Sequence, residues 1–289
     1  MDKQKIKINE WPRHGIQALW ALLTNSHLAG FFSGKIYRGN LKKVCVPGLN
    51  CYSCPGAVGA CPIGAIQAVV GSWNFKFAYY VIGFLIFIGA IIGRVVCGFL
   101  CPFGLIQDLL HKIPFPKKIR TFYGDKLLRK LKYVIFLVFV ILLPLVVVDI
   151  MGQGAPYFCK LICPAGTLEG GIPLVLLNKT LRSTVGWLYV WKNVILIITI
   201  LLSILIYRPF CKYICPLGAF YSVFNPVSIF RYQVDKEKCV HCGKCAAACQ
   251  MQVNPVENAN DLECIRCGRC KKACPTGAIS CGAKGRIQS

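Results

Sequence analysis

Acidic side chains are scarce in this chain of 289 residues, which has 11 Asp and Glu residues against 34 Lys and Arg residues. Hydrolysis by general acid and base catalysis therefore has few candidate carboxylates. The sequence also contains no glycine-rich phosphate loop and no nucleophile elbow around a serine. Its four histidines are better interpreted as polar residues near membrane edges and loops than as haem or quinone ligands. These absences disfavour hydrolases and nucleotide-binding enzymes.

Apolar residues dominate the composition, at 55% of the chain against 16% charged residues. Several of the apolar runs are uninterrupted, which indicates a membrane protein. The net charge of +23 would also fit a nucleic-acid-binding protein. However, the lysines and arginines cluster beside the apolar runs, as the positive-inside bias produces. We therefore predict a membrane location and no nucleic-acid partner.

Four apolar segments predict transmembrane helices, at residues 15–34, 77–93, 133–148 and about 185–207. The first is only modestly hydrophobic, so an interfacial helix is the competing interpretation. Arg13, Asn25 and His27 interrupt any cleavable apolar core, so we expect this N-terminal segment to be retained. From Cys101 to Lys132 there are eight lysines and arginines, which favours a cytoplasmic loop. The pattern predicts a multi-pass protein of the cytoplasmic membrane, with both termini and the C-terminal region inside.

The 19 cysteines far exceed what packing requires, and they follow a repeated pattern. A Cys-Pro-x-Gly unit occurs four times at the edges of apolar runs, and three copies have a second cysteine four residues earlier. Cysteines at i and i+4 share a helical face or turn, so each pair can bind one metal centre. Proline suits the first helical position, leaving cysteine at the cap, where the helix N-terminus favours an anionic cluster. The units are Cys61, Cys97/Cys101, Cys159/Cys163 and Cys211/Cys215.

The predicted topology sorts these cysteines into two groups. Four lie on the cytoplasmic side, the number that one [4Fe–4S] cluster needs. Six others lie on the outer side. They include Cys61, whose Cys-Pro-x-Gly unit has no second cysteine four residues earlier. The cytoplasmic group is Cys97, Cys101, Cys211 and Cys215, and the outer group is Cys45, Cys51, Cys54, Cys61, Cys159 and Cys163.

The chain also reads as two halves, each with the order span, Cys-Pro-x-Gly, span, Cys-Pro-x-Gly. In addition, residues 61–67 closely echo residues 101–107. Repeated halves often meet at a cofactor site in membrane proteins. By this symmetry an outer cluster would use Cys61, Cys159 and Cys163. Ala57 stands four residues before Cys61, so the fourth ligand must come from elsewhere. The candidates are Cys54, which we favour, and Cys51.

Two alternatives concern this membrane region. The first is that some of the outer cysteines form disulfides, since an extracytoplasmic compartment is oxidising. The second concerns Arg94 and Arg208, each three residues before the first cysteine of a pair. They either snorkel to lipid headgroups or raise the potential of the inner cluster, because nearby charge tunes such clusters.

From Arg231 the composition becomes polar, and two runs appear with the spacing of bacterial two-cluster ferredoxins. Zinc sites need only paired Cys-x-x-Cys units, so the triple spacing favours iron–sulfur clusters. The fourth cysteine of each run ligates the other cluster, and Cys281 is left over as a plain thiol. The predicted ligand sets are Cys239, Cys242, Cys245 and Cys274, and Cys264, Cys267, Cys270 and Cys249.

These features predict two domains. Residues 1–230 form a membrane α-helical iron–sulfur domain with about four transmembrane helices in two pseudo-repeats. Residues 231–289 form a small α+β two-cluster ferredoxin-like domain. The cofactors are two [4Fe–4S] clusters in the ferredoxin domain and one or two in the membrane domain.

The paired Cys-x-x-x-Cys-Pro motifs at residues 97–102 and 211–216, followed by a two-cluster ferredoxin, resemble the NapH/NosR/CcoG-type membrane polyferredoxins. The resemblance covers most of the chain from Cys97 onward. It implies electron transfer between the quinone pool or a cytoplasmic donor and an extracytoplasmic redox partner, or an accessory role in maturing a metalloenzyme. The chain departs from the family in its additional outer cysteines and in lacking the extracytoplasmic flavin-binding domain of the NosR type.

We therefore predict a transmembrane electron conduit, of oxidoreductase type but without a substrate-transforming site. A cytoplasmic ferredoxin or flavoprotein would reduce the ferredoxin domain, and electrons would leave to an extracytoplasmic redox partner or to quinone. The alternatives are a NapH-like quinol dehydrogenase subunit and a maturation or redox-sensing protein for a metalloenzyme. A bilayer core of about 30 Å is long for one electron hop. The conduit thus requires the Cys-Pro-x-Gly helices to dip inward as re-entrant half-helices.

Overall fold

The structure is a computed structural model that describes residues 8–72, 79–116, 118–150, 152–183 and 185–283. It is mainly helical, with one two-stranded sheet near the C-terminus. A short 3₁₀ helix covers Asn40–Lys43. The α-helices are α1 Trp11–Thr24, α2 Ala29–Ser33, α3 Pro62–Gly71, α4 Tyr79–Ile92, α5 Pro102–Lys112, α6 Asp125–Leu128, α7 Leu131–Ile135, α8 Leu143–Val146, α9 Tyr157–Leu161, α10 Pro164–Gly166, α11 Ile172–Leu177, α12 Lys179–Ser183, α13 Trp187–Leu205, α14 Pro216–Phe224, α15 Lys244–Ala248 and α16 Arg269–Ala273.

The Cys-Pro-x-Gly units begin four of these helices: α3, α5, α10 and α14. In each, cysteine is the N-cap and proline follows at the start of the helix, which confirms the predicted arrangement. The glycine has a direct role, since the N–H groups of Gly166 and Gly218 donate to the Sγ atoms of Cys163 and Cys215, both at 3.4 Å. Each sulfur therefore faces the positive end of a helix.

Two of the upstream cysteines lie on π-helical turns. Cys97 belongs to the π turn Val96–Leu100, and Cys211 belongs to Phe210–Ile214. Further π turns cover Phe136–Leu142 and Thr167–Gly171. Because π turns are uncommon and often occur at functional sites, their position immediately before two capping cysteines is informative.

Among the described residues, only α13 is long and apolar enough to cross a membrane, with 19 residues and a mean hydropathy of 2.2. The predicted span 15–34 is not one helix, because α1 ends at Thr24 and α2 starts at Ala29. The side-chain amide of Asn25 donates to the Ala21 carbonyl at 2.9 Å, which helps to end α1. Residues 77–78 of the second predicted span lie outside the described residues. Four spans therefore stay a prediction.

The amphipathicity of α1 is inverted relative to a helix on a water-soluble protein. Its buried face is polar and includes Arg13, His14 and Gln17. Its exposed face carries Leu19 and Leu22, which are 60% and 64% exposed. Such a helix suits an apolar environment outside and a polar contact inside.

The C-terminal part contains an antiparallel pair of strands, β1 Phe230–Val234 and β2 Ile279–Ala283, with Tyr232 opposite Cys281. Tyr232 and Ile279 form a small core with Cys245. Helices α15 and α16, which lie within the two cysteine runs just before Cys249 and Cys274, pack against each other. The sheet thus joins the beginning and the end of the predicted ferredoxin domain.

Buried charges hold this C-terminal part against the helical part. The Glu263 carboxylate accepts hydrogen bonds from Lys132 Nζ at 2.5 and 2.6 Å, and it pairs with Arg94 Nη1 at 3.3 Å. Burial acts to raise the pKa of Glu263, but the two cations lower it below its usual value. Asn225, fully buried at the end of α14, donates to the carbonyls of Asp261 and Cys264 at 2.9 and 2.8 Å.

We expect Glu263→Ala to destabilise the docked C-terminal part by about 3 kcal/mol, because two buried cations lose their counter-charge. The measurements are the melting temperature and the rate at which protease releases the C-terminal fragment. The matched control is Glu257→Ala, since Glu257 is exposed and bonds only locally to Asn254. Equal protease resistance of both variants would contradict this docking role.

Candidate iron–sulfur sites

The two cysteine runs of the C-terminal part line two separate cavities. Each cavity receives three thiols from one run and the fourth from the other, as the sequence predicts. Cys249 thus joins the second run, and Cys274 joins the first. The sets are Cys239, Cys242, Cys245 and Cys274 in one cavity, and Cys249, Cys264, Cys267 and Cys270 in the other.

The loops around these cavities have left-handed backbone at equivalent positions. Gly243 and Gly268 have φ angles of 70° and 80°, and His241 and Arg266 have φ angles of 50° and 52°. Such turns direct successive backbone N–H groups into a concavity that binds anions. One example is Val253, whose N–H donates to a cavity thiol, Cys249 Sγ, at 3.4 Å. The loops therefore fit an anionic cluster.

The chemistry of the thiols also fits a metal cluster. Burial raises the pKa of Cys264 to about 12, so an isolated thiol there stays protonated at neutral pH. Coordination to iron deprotonates a thiol outright. Within the described residues, no three His, Cys, Asp or Glu side chains converge on a point that would hold a single metal ion. Zinc needs its ligands about 2.3 Å from one centre, whereas a cubane cluster binds cysteines at separate iron atoms.

The inner group of membrane-domain cysteines comes together as predicted. All four are between 5% and 7% exposed, and their thiols are close enough to interact electrostatically. The side chain of Gln107 donates from Nε2 to Cys211 Sγ at 3.1 Å, and its Oε1 accepts from Phe210 N–H at 3.2 Å. The group comprises Cys97, Cys101, Cys211 and Cys215.

A second group repeats this geometry. Gln67 donates from Nε2 to Cys159 Sγ at 3.2 Å, and its Oε1 accepts from Phe158 N–H at 2.9 Å. Cys61 and Cys163 interact electrostatically with Cys159 and with each other. The equivalent hydrogen bonds of Gln67 and Gln107 support two related sites.

The geometry favours Cys51 over Cys54 as the fourth thiol of the second group. A Cβ atom built on Gly166 would lie 3.7 Å from Cys51 Sγ and 3.8 Å from Cys163 Sγ. Both Cys51 and Cys54 are near Lys42 and Glu169, but Cys51 also interacts electrostatically with the three other thiols of the group. All 19 cysteines are free, so the disulfide alternative has no support in the structure. Ligation by either thiol stays a prediction.

Both predicted tuning arginines are fully buried, which shows that the snorkelling interpretation is wrong. Arg94 donates to the Leu262 carbonyl at 2.6 Å and is attracted to the Cys97 thiol. Arg208 donates to the Cys97 carbonyl at 2.5 Å and forms two hydrogen bonds with Asp108, at 2.5 and 2.6 Å. Both guanidinium groups thus adjoin the inner site, where a positive charge would stabilise added electrons.

Sequence reasoning assigned no role to the glutamines, to Glu263 or to Glu169. The glutamines had a visible signal, because each stands six residues after a capping cysteine in the two matching segments. Glu169 is partly buried beside Cys51, whose N–H donates to Oε2 at 2.7 Å, and no local spacing marks it. Glu263 precedes a ferredoxin cysteine but acts on a distant part of the chain.

Two families described as 4Fe-4S binding domains match the chain. One matches residues 59–79, 75–122 and 189–231, and the other matches residues 232–253 and 260–280. The first family covers Cys61 and all four cysteines of the inner group. The second covers both runs of the C-terminal part. [4Fe–4S]-binding sequence is therefore present in both parts of the chain.

Three relatives place these matches in context. An uncharacterized protein of Methanocaldococcus jannaschii is 33% identical over 60% of this chain and 65% of its own length. The putative electron transport protein YccM of Escherichia coli is 28% identical over 60% of this chain and 45% of its own. The regulatory protein NosR of Stutzerimonas stutzeri is 25% identical over 58% of this chain and 22% of its own. The chain thus spans less than two thirds of each of these relatives, and no solved structure matches it.

We expect Cys249→Ser to lower the iron content by about four atoms per chain, because this cysteine completes the cavity of the other run. The measurement is iron and acid-labile sulfide on anaerobically purified protein. Cys281→Ser serves as the control, since Cys281 lies on β2 outside both ligand sets. An unchanged iron content in Cys249→Ser, or an equal loss in both variants, would contradict the exchanged ligand sets.

Proposed function

Because the chain belongs to the NosR/NapH-type polyferredoxins, a family of iron–sulfur electron-transfer proteins, we propose that it relays electrons across the cytoplasmic membrane. A cytoplasmic ferredoxin or flavoprotein reduces the C-terminal clusters. Electrons then pass to the inner site and on to the outer site, and they leave to an extracytoplasmic redox partner or to quinone. The clusters supply the one-electron chemistry, and the chain fixes their positions and potentials.

One contact carries the proposal: the ligand loops of the ferredoxin domain and of the inner site touch. Gly98 lies between two inner-site cysteines, and Ile265 lies between two ferredoxin cysteines. A Cβ atom on Gly98 would lie 2.5 Å from the Ile265 carbonyl oxygen and 3.8 Å from the Cα atom of Cys267. Only glycine allows this approach. A short gap between two clusters is what rapid transfer requires.

The two ferredoxin cavities differ in their exposure, which gives the relay an order. The cavity containing Cys267 lies against Gly98 and the buried Arg94. The loop of the other cavity is exposed at Cys242, and Val240 beside it is 63% exposed. A donor protein can approach this second cavity. We therefore place electron uptake at the Cys242 cluster and the onward step at the Cys267 cluster.

The side chains around the inner site set its potential in this proposal. Gln107 stabilises the sulfur of Cys211 through a hydrogen bond. Arg94 shares the Glu263 carboxylate with Lys132, and Arg208 shares the Asp108 carboxylate with Arg13. Each carboxylate thus faces two cations, which leaves excess positive charge beside the inner site. Hydrogen bonds to sulfur and nearby cations raise the potential of a cluster, because the reduced cluster carries one more negative charge. The inner site would thus accept electrons from the ferredoxin domain.

We also propose four membrane segments, with both termini in the cytoplasm. The exposed apolar surface of α13 supports this topology, since only 17% of its most apolar stretch is buried. The outward-facing leucines of α1 and the exposed Phe87 of α4 have the same explanation. Contiguous apolar surface of this extent needs a lipid or protein covering.

The topology is tested by labelling single cysteines placed in loops with a membrane-impermeant reagent, in whole cells and in inverted vesicles. We expect position 123, fully exposed in the basic loop, to react only in inverted vesicles. Position 150, fully exposed after α8, should react in whole cells. Reaction of both positions from the same side would overturn the four-segment arrangement.

We expect Gly98→Ala to slow reduction of the inner cluster, by about tenfold for a shift near 1 Å, while iron content stays unchanged. Stopped-flow absorbance with a reduced small ferredoxin as donor measures the rate. The matched control is Gly83→Ala, because a Cβ atom there has no neighbour within 4 Å. If the inner cluster of Gly98→Ala were reduced at the wild-type rate, this contact would not be part of the relay. Direct reduction of the membrane site by the donor would then be favoured.

A further inference from the structure

We propose that residues 48–51 bridge the two membrane sites, with Leu49 against the inner cluster and Cys51 as a ligand of the outer one. The inference rests on the proposed function. It adds two things to that function: the segment that connects the inner and outer sites, and the fourth ligand of the outer cluster. In the step between these sites, one electron leaves the reduced inner cluster and reduces the oxidised outer cluster, and no bond forms or breaks.

The first end of the bridge, Gly48 and Leu49, packs against the inner site. A Cβ atom on Gly48 would lie 2.4 Å from the Leu100 carbonyl oxygen and 3.2 Å from the Cα atom of Cys101. Leu49 is 2% exposed and belongs to the same buried core as Cys97 and Cys101. The segment is therefore part of the apolar surrounding of the inner site.

The second end reaches the outer site. Cys51 N–H donates to the buried carboxylate of Glu169 at 2.7 Å, which fixes the backbone there. A Cβ atom on Gly170 would lie 3.2 Å from Cys51 Sγ, so this sulfur is packed against the π turn that follows Cys163. The Cys51 thiol therefore replaces the missing cysteine at Ala57.

Neighbouring elements hold the bridge in place. Tyr221 on α14 donates from its hydroxyl to the Pro47 carbonyl at 3.2 Å. The side chain of Asn50, which is 1% exposed, donates to the Thr24 carbonyl at the end of α1 at 3.4 Å. The segment is thus anchored by helices from both halves of the membrane domain.

The covalent geometry limits the separation of the two sites. Leu49 and Cys51 are two residues apart, so their Cα atoms are at most about 7 Å apart. A bilayer core is about 30 Å thick, and two clusters at its surfaces would be much further apart. The bridge therefore requires both sites to lie inside the domain and away from the membrane surfaces. This is the arrangement that re-entrant Cys-Pro-x-Gly helices would produce.

The ligand assignment is tested with Cys51→Ser and Cys54→Ser on the full chain. We expect about 16 iron atoms in the native protein and a loss of about four in Cys51→Ser alone. Loss in Cys54→Ser with retention in Cys51→Ser would overturn the assignment. A native content near 12, unchanged in both variants, would overturn the bridge but leave the relay from the ferredoxin domain to the inner cluster intact.

The route is tested with Gly48→Ala, against Gly15→Ala, where a Cβ atom has no neighbour within 4 Å. Magnetic coupling between the two reduced membrane clusters is read from electron paramagnetic resonance, and iron content is measured in parallel. We expect wild-type and Gly15→Ala protein to show the coupling. Gly48→Ala should keep its iron but lose most of the coupling, because the added methyl group pushes the bridge away from Leu100 and Cys101. Coupling that is absent in wild-type protein, or unchanged in Gly48→Ala, would overturn the bridge.

Discussion

In the proposed relay, each of the two sites in the helical part holds four thiolates in a buried, apolar surrounding, and much of the structure compensates for that negative charge. Burying an unpaired charge is costly, so each sulfur needs nearby donors or cations. Capping cysteines at helix N-termini supply part of the compensation, because the free N–H groups of the first turn face the sulfur. The amides of Gln67 and Gln107 and the buried guanidinium groups of Arg94 and Arg208 supply more.

The two sites meet this constraint in related ways. At both, a glutamine on the helix after a capping cysteine of the first half donates to the first cysteine of a pair in the second half. The symmetry fails at Ala57, which has no thiol, and at the two buried arginines, which adjoin only the inner site. The sites are therefore chemically different. The more positive surrounding of the inner site favours its reduction by the ferredoxin domain. The outer site contains Glu169 instead, so the step from the inner to the outer site depends on an acceptor that removes the electron.

Docking of the ferredoxin domain also depends on the pairing of buried charges. Arg94 contacts the Leu262 carbonyl and Glu263 on one side and approaches Cys97 on the other. One side chain thereby ties the position of the ferredoxin loops to the inner site. Asn225 adds hydrogen bonds from the end of α14. A relay depends on fixed distances between centres. These polar contacts and the buried Met251, Val253 and Ile265, which join the core of the helical part, together fix the distance.

The sequence by itself determined the features that depend on local spacing. The exchanged sets of ferredoxin cysteines, the capping role of the Cys-Pro-x-Gly units and the grouping of the four inner cysteines could all be predicted, because chain geometry over three or four residues constrains them. Tertiary structure alone decided the rest. It broke the first apolar segment at Asn25, paired Glu263 with Lys132 and brought Cys51, rather than Cys54, beside Cys163. These contacts join residues far apart in the chain, and their partners are selected by packing and charge compensation, which no local pattern records.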